Sequence, residues 1–245
     1  MMDGNDKQSK AVCFVTPEYP PRATGIARSA VRIVKHLVEG GFDMHVFVLL
    51  RCAQGETPAT YTSVEEGVHV YRVRVEKDAD KWQLVHALSE AIRKVDDATP
   101  FAMFHGFFVP IAFACLRVAE RRNRPIIVSI RGSDAVDWLA TEAQRNIMNL
   151  IMQRAAWVTS VSTDLLDNVA AVWDVSGKSS VILNSIDSSA FPSWQLTEEN
   201  RGVVGTLGEF RYKKDIPLLV QSYAALDSSL RKRLLLVGYF DKEEY

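Results

Sequence analysis

Short apolar runs alternate along the chain with longer stretches of helical period, the pattern of βαβ units that build a parallel sheet. The runs AVCFVT, MHVFVLL, VHVYRV, FAMF, PIIVSI, WVTSV and SVIL read as strands. Between the first two, Ile26, Ala30, Ile33, Val34, Leu37 and Val38 recur on one face of a helix, opposite Arg28, Arg32, Lys35, His36 and Glu39, and Gly40-Gly41 ends it. Leu84, Val85, Leu88, Ala91, Ile92 and Val95 mark a second helix, and Pro110 suits the first turn of a third. Residues 1–9 carry almost no apolar side chain and are expected to be a disordered tail. The pattern predicts an α/β fold, a Rossmann-like parallel sheet flanked by helices, over residues 10–187.

The period is lost over residues 188–200, SSAFPSWQLTEEN, which reads as a linker. Beyond it, RGVVGTLG is a strand and glycine turn, Pro217 opens a helix through Leu218, Leu219, Tyr223 and Leu226, and RLLLVG is the next strand. Residues 201–245 thus read as one βαβ, too small to fold alone, and are expected to be the opening part of an incomplete second Rossmann-like unit.

Composition narrows the function classes. The 245 residues carry 29 Lys and Arg against 30 Asp and Glu, so no bulk basic field exists to hold a nucleic-acid backbone. Cys13, Cys52 and Cys115 are odd in number and lack CxxC spacing, which argues against a disulfide framework and a structural zinc site and fits a cytoplasmic protein. The longest apolar stretch, Phe101 to Leu116, is interrupted by His105, Gly106 and Pro110, so no transmembrane segment is expected. Sequences of the GxGxxG, GxxxxGK[ST] and GxSxG types are absent. Asp78-Ala-Asp80 matches a paired-aspartate metal motif formally, but its place before a helix favours capping, and no metal site is expected.

In open parallel sheets ligands bind beyond the carboxyl ends of the strands, so the residues there are the candidates. After the first strand, PEYPPRATGIARSA offers Thr24 as a helix cap and Gly25 as a place where backbone amides meet a ligand; it is either an anion cradle or a well-capped turn. His105 follows FAMF and either meets a sugar hydroxyl or packs beneath the Phe-rich turn. Arg131 and Asp134 of RGSD form a charged rim or a solvated capping turn. Gly208, Arg211, Lys213 and Lys214 lie between a strand and a helix start, where cations without an acidic residue between Arg211 and Lys214 favour a phosphate ligand over a solvated charge run.

Taken in order, VTPEYPPRATGIARSAVRIVKHLVEGGFDMHVFV, FHGFFVP, PIIVSIRGSDA, VTSVSTDLL, VILNSID, GTLGEFRYKKDIPLLVQSYAAL and LLLVG resemble the GT-B glycosyltransferases of the family 4 type over nearly the whole chain. The resemblance implies two facing Rossmann-like domains and retaining, metal-independent transfer of a sugar from a nucleotide-diphosphate donor, with no cofactor beyond that substrate. The implied partners are a nucleotide sugar donor and a carbohydrate or lipid-linked acceptor. Gly25 then resembles the glycine loop that approaches the donor diphosphate or the acceptor, His105 the catalytic histidine beside the transferred sugar, and Arg211 and Lys214 the pair holding the diphosphate. Three departures concern loop geometry: Thr24-Gly25 stands for two glycines, Asn184-Ser-Ile-Asp187 for an NGID turn, and Asp215 for a glycine. The family's later strands and paired glutamates do not precede Tyr245, so the 245 residues alone are expected to be inactive, the chain reading as a truncated form, a gene fragment or one half of a split enzyme whose C-terminal half another chain supplies. The alternatives are a GT-B-shaped sugar-nucleotide isomerase and a noncatalytic binding module that needs a partner chain.

Overall fold

A computed structural model describes residues 10–53, 55–132, 141–191, 193, 195 and 197–240. The tail expected at residues 1–9 and the candidate Asp134 lie outside the described residues. The chain divides into two compact units, with the boundary between Ser185 and Ile186.

In the first unit β1 (Ala11–Thr16) leads into α1 (Gly25–Glu39), then β2 (Asp43–Arg51), β3 (Thr60–Glu65) and β4 (Val68–Val75). α2 (Lys81–Ala98), β5 (Met103–Phe107), α3 (Val109–Arg121) and β6 (Ile126–Ile130) follow. α4 (Glu142–Arg154), β7 (Trp157–Ser160), α5 (Thr163–Ala170) and β8 (Ser179–Val181) complete it. The sheet order is β3-β4-β2-β1-β5-β6-β7-β8, parallel except for the β3–β4 hairpin. The α/β, Rossmann-like architecture read from the sequence is the one observed. β3 was not foreseen: it is exposed over most of its length and forms an edge, so its residues carry no apolar face, and Glu66 at φ 51 and Gly67 at φ 81 make the turn to β4.

Every residue of β1 is buried, as a central strand covered on both faces requires. On one face Ala30 and Val34 of α1 pack with Phe14, Val46 and Val70; on the other Leu88 and Ile92 of α2 and Cys115 and Leu116 of α3 pack with Val15, Phe47 and Phe104. The caps at Thr24 and Asp80 are those the sequence suggests, and Ser162 caps α5. Thr24 accepts from the Ala27 amide, Asp80 and Gln83 form a capping box on α2, and Ser162 accepts from the Leu165 amide. Asp96, fully buried near the end of α2, accepts from the Phe101 amide at 3.0 Å and from Arg122 Nε at 2.7 Å, so its charge is matched and it ties α2, α3 and the entry to β5 together. Among the described residues no helix is long and apolar enough to cross a membrane.

In the second unit β9 (Val203–Phe210), α6 (Ile216–Ala224) and β10 (Arg233–Phe240) form the expected parallel βαβ. β9 runs further than the sequence suggests, so Gly208 lies within the strand rather than in the turn after it. There it pairs with Gly238, where a Cβ would sit 1.8 Å from the Gly208 carbonyl oxygen and φ is 151°.

α3 is pressed against β5 at Gly106, where an added Cβ would lie 2.3 Å from Ala112 Cβ and 2.6 Å from its Cα. Because the backbone itself must move, Gly106→Ala is expected to cost about 1–3 kcal/mol, the range for overpacking a well-filled core. A lower denaturation midpoint in urea at unchanged m-value is the measurement that checks it.

Candidate functional site

From β1 the chain passes outward to β2 and β4 on one side and returns through α2 to β5 on the other. The carboxyl ends of β1 and β5 therefore flank a topological switch point, where an open α/β sheet leaves a crevice. The β1–α1 loop and the segment after β5 stand at that place.

The loop is braced. Thr16 Oγ1 donates to the Glu18 carbonyl at 2.9 Å, and the Glu18 carboxylate accepts from Thr24 Oγ1, the residue that caps α1. Arg72, on β4, pairs with Glu65 and donates to the Pro20 carbonyl at 2.8 Å, fastening the loop to the sheet edge. At Gly25, the first residue of α1, an added Cβ would meet no protein atom within 4 Å, so packing does not require glycine there.

His105 needs a correction. Strand pairing continues through Gly106 with Val15 and Val128 and through Phe107 with Ser129, so β5 runs Met103–Phe107 and the histidine lies inside the strand rather than after it. It is buried, with the Phe14 ring meeting it edge-on at 4.9 Å. Its Nε2 is 2.8 Å from Ser129 Oγ, which is 2.7 Å from Thr159 Oγ1, a polar row across β5, β6 and β7. Burial first, and the Arg131 charge second, push its pKa down to about 4, so near neutrality the ring is an uncharged hydrogen-bonding group. Just beyond, Phe108 adopts φ 132°, a conformation costing on the order of 1–3 kcal/mol that side-chain-bearing residues hold mainly where surroundings impose it.

Arg131, past the end of β6, lies with Cζ 4.4 Å from the centroid of the Phe107 ring and donates to Asn184 Oδ1 at 2.5 Å, joining the ends of β5 and β6 to the segment after β8. The structure thus brings His105, Phe107, Arg131 and Asn184 together at the carboxyl side of the sheet.

In the second unit one of the expected cations, Arg211, has an acidic partner in the preceding strand. Glu209 pairs with Arg211 at 2.5 Å, and Asp215, at φ 43°, caps α6 by accepting from the Leu218 amide. The carboxylate that pairs with Arg211 comes from Glu209, two residues before it, where a search between Arg211 and Lys214 misses it.

Ser129, Thr159 and Arg72 escaped the sequence reading because each acts through strand register; the available signals were the polar residues inside PIIVSI and WVTSV. The same register gathers Asp43, His45 and His69 at the amino ends of β2 and β4, a group the sequence spacing did not suggest. The cysteines are buried and free, and burial pushes the Cys115 thiol up to about 12, so it is no nucleophile.

The sheet and its switch point define a Rossmann-like α/β unit. Residues 24–184 match the glycosyl transferase 4-like domain, and the chain belongs to that family. No curated protein sequence matches significantly. Among solved structures, sucrose-phosphate synthase from Thermosynechococcus elongatus is similar at TM-score 0.72 and 14% identity, over 96% of this chain and 64% of that one. The catalytic domain of starch synthase IV from Arabidopsis thaliana, bound to ADP and acarbose, is similar at TM-score 0.63 and 13% identity, over 95% and 69%. Anabaena HepE in complex with UDP and glucose is similar at TM-score 0.64 and 12% identity, over 96% and 62%. At these identities the likeness is one of fold, the GT-B fold, and this chain spans less than two thirds of the synthase and of HepE.

The buried neutral histidine gives a stability prediction. An unfolded histidine with its pKa near 6.5 takes up a proton as pH falls, whereas native His105 does not until about pH 4, so stability present above pH 6.5 is lost as pH drops between those values. From pH 7 to pH 5 this contributes a loss of about 2 kcal/mol. Urea denaturation at the two pH values is expected to show a smaller loss, by about that amount, in His105→Gln than in the parent.

Proposed function

We propose that this chain serves in transfer of a sugar from a nucleotide-diphosphate donor to a carbohydrate or lipid-linked acceptor, with retention and without a metal in the reaction. The observation that carries the proposal is the family match over residues 24–184, a span that contains Gly25, His105 and Arg131. HepE and starch synthase IV, whose fold this chain shares, are described with UDP and glucose and with ADP and acarbose, which supports a nucleotide sugar as the ligand class.

In this reading the bond from the anomeric carbon to the diphosphate breaks, a bond from an acceptor hydroxyl oxygen forms on the same face, and the hydroxyl proton passes to the departing diphosphate oxygen. Negative charge grows on the departing diphosphate, and Arg211 and Lys214 stabilise it. Engaged by Glu209 in the present structure, the Arg211 guanidinium would exchange that carboxylate for phosphate oxygens. His105 acts as a neutral hydrogen-bonding group, because burial and Arg131 oppose its protonation. With Nε2 held by Ser129, the hydrogen bond to the sugar falls to Nδ1. Gly25 lets the backbone at the start of α1 approach the donor or acceptor, and Arg131 forms part of the crevice rim.

The test is isothermal titration with UDP-glucose, ADP-glucose and GDP-mannose, alone and with a complementing C-terminal fragment, followed by transfer assays on whichever preparation turns over. Arg211→Ala and Lys214→Ala are each expected to lower kcat/KM by about 2–4 kcal/mol of transition-state stabilisation with the fold intact. Near-normal activity of both at subsaturating donor would remove this turn from the leaving-group site. Gly25→Ala is expected to leave the denaturation midpoint within about 0.5 kcal/mol of the parent, since nothing packs there, while raising KM. Unchanged KM in that variant would assign the open space to no ligand.

A further inference from the structure

At the amino ends of β2 and β4, away from the carboxyl-end crevice, the parallel register sets His45 beside His69, with Asp43 two residues before His45 on the same side of its strand. His45 Nε2 lies 3.2 Å from one Asp43 carboxylate oxygen and His69 Nε2 lies 3.7 Å from the other. One donor atom from each of the three residues falls within 4.8 Å of the others.

We propose that Asp43, His45 and His69 form a binding site for a divalent zinc ion that pins β2 to β4. Two imidazole nitrogens and a carboxylate oxygen suit zinc, a borderline-soft cation, better than magnesium or calcium, which favour all-oxygen shells. Ligand bonds of about 2.0–2.1 Å in a tetrahedron place donor atoms about 3.3 Å apart, close to the 3.2 Å between His45 Nε2 and one Asp43 oxygen, whereas His69 Nε2, 3.7 Å from the other oxygen, has to draw in. The fourth position would be taken by water.

The surroundings fit a ligand rather than a chance contact. His45 is buried, and its other nitrogen, Nδ1, lies 3.0 Å from Tyr71 Oη. A donor bond from Nδ1–H to that oxygen would leave Nε2 with its lone pair toward Asp43, the outer partner that metal-bound histidines ordinarily have. The Phe101 ring, edge-on at 5.1 Å, limits the movement of the His45 ring.

One adjustment is required. The two imidazoles stack at 4.6 Å and 14° from parallel, so their Nε2 lone pairs run side by side rather than converging. His69, whose side chain is 40% exposed, has room to turn toward the ion, while His45 and Tyr71 stay fixed. A purely hydrogen-bonded cluster, with Asp43 accepting from both rings, is the competing arrangement and would bind no ion.

The experiment titrates EDTA-treated, dialysed protein with ZnCl2 by calorimetry, and with CoCl2 by visible absorption. Expected are one equivalent bound with a Kd of about 1 μM or tighter, a tetrahedral cobalt spectrum, and a Tm that rises with zinc by mass action. His69→Ala, a change at a part-exposed side chain, is expected to weaken zinc binding at least tenfold while leaving the metal-free Tm unchanged. His36→Ala is the control, because His36 and Glu39 form an exposed pair on α1 capable of weak zinc binding. Binding weaker than about 100 μM, or binding that His69→Ala leaves intact, overturns the proposal. So does zinc affinity lost in His36→Ala instead.

Discussion

The pairing of β1 with β2 on one side and β5 on the other is the constraint on which the rest of the first unit depends. It puts a strand with every residue buried at the middle of the sheet, so both faces need helical cover, and the chain must reverse direction across the sheet to supply β5. In open α/β sheets such a reversal marks where ligands bind, beyond the carboxyl ends. The close approach of α3 at Gly106 lets β5 stay paired through Phe107, and this extra strand length is what draws His105 into the sheet.

Placing a histidine there has an electrical consequence. Taken out of water, with an arginine nearby, the ring stays neutral, and its Nε2 is spent on Ser129. Such a group can orient and hydrogen-bond a sugar but is a poor acid or base near neutral pH, which favours transfer chemistry whose charge is handled by preformed cations over an isomerase that moves protons. In the second unit, pairing of Arg211 with Glu209 stores that cation in a neutralised form, so a diphosphate there would have to displace a carboxylate as well as water.

The features legible in the sequence were those set within a few residues. The caps by Thr24, Asp80 and Ser162, the apolar stripe of α1 and the run of β1 need only local spacing to be seen. Features made by register were not. Asp96 meets Arg122 across two helices, Ser129 meets His105 across two strands, and His45 meets His69 only because β2 and β4 align as they do. β3 lacked a signal for a different reason: an exposed edge strand needs no apolar alternation. Gly25 and Arg131 lie past strand ends as the sequence placed them, whereas His105 was placed by the same rule with its strand ended too early.

On the proposed function, the residues at the carboxyl ends of β1 and β5 take part in binding a nucleotide sugar. This is tested most directly by mapping amide and imidazole chemical-shift changes in isotope-labelled protein on addition of UDP-glucose, ADP-glucose or GDP-mannose. At least one of them is expected to shift the signals of Gly25, Ala27, His105 and Arg131 while leaving those of His45 and His69, at the opposite ends of the strands, in place. Binding that leaves the first group unmoved, or no binding by any of the three, would contradict it.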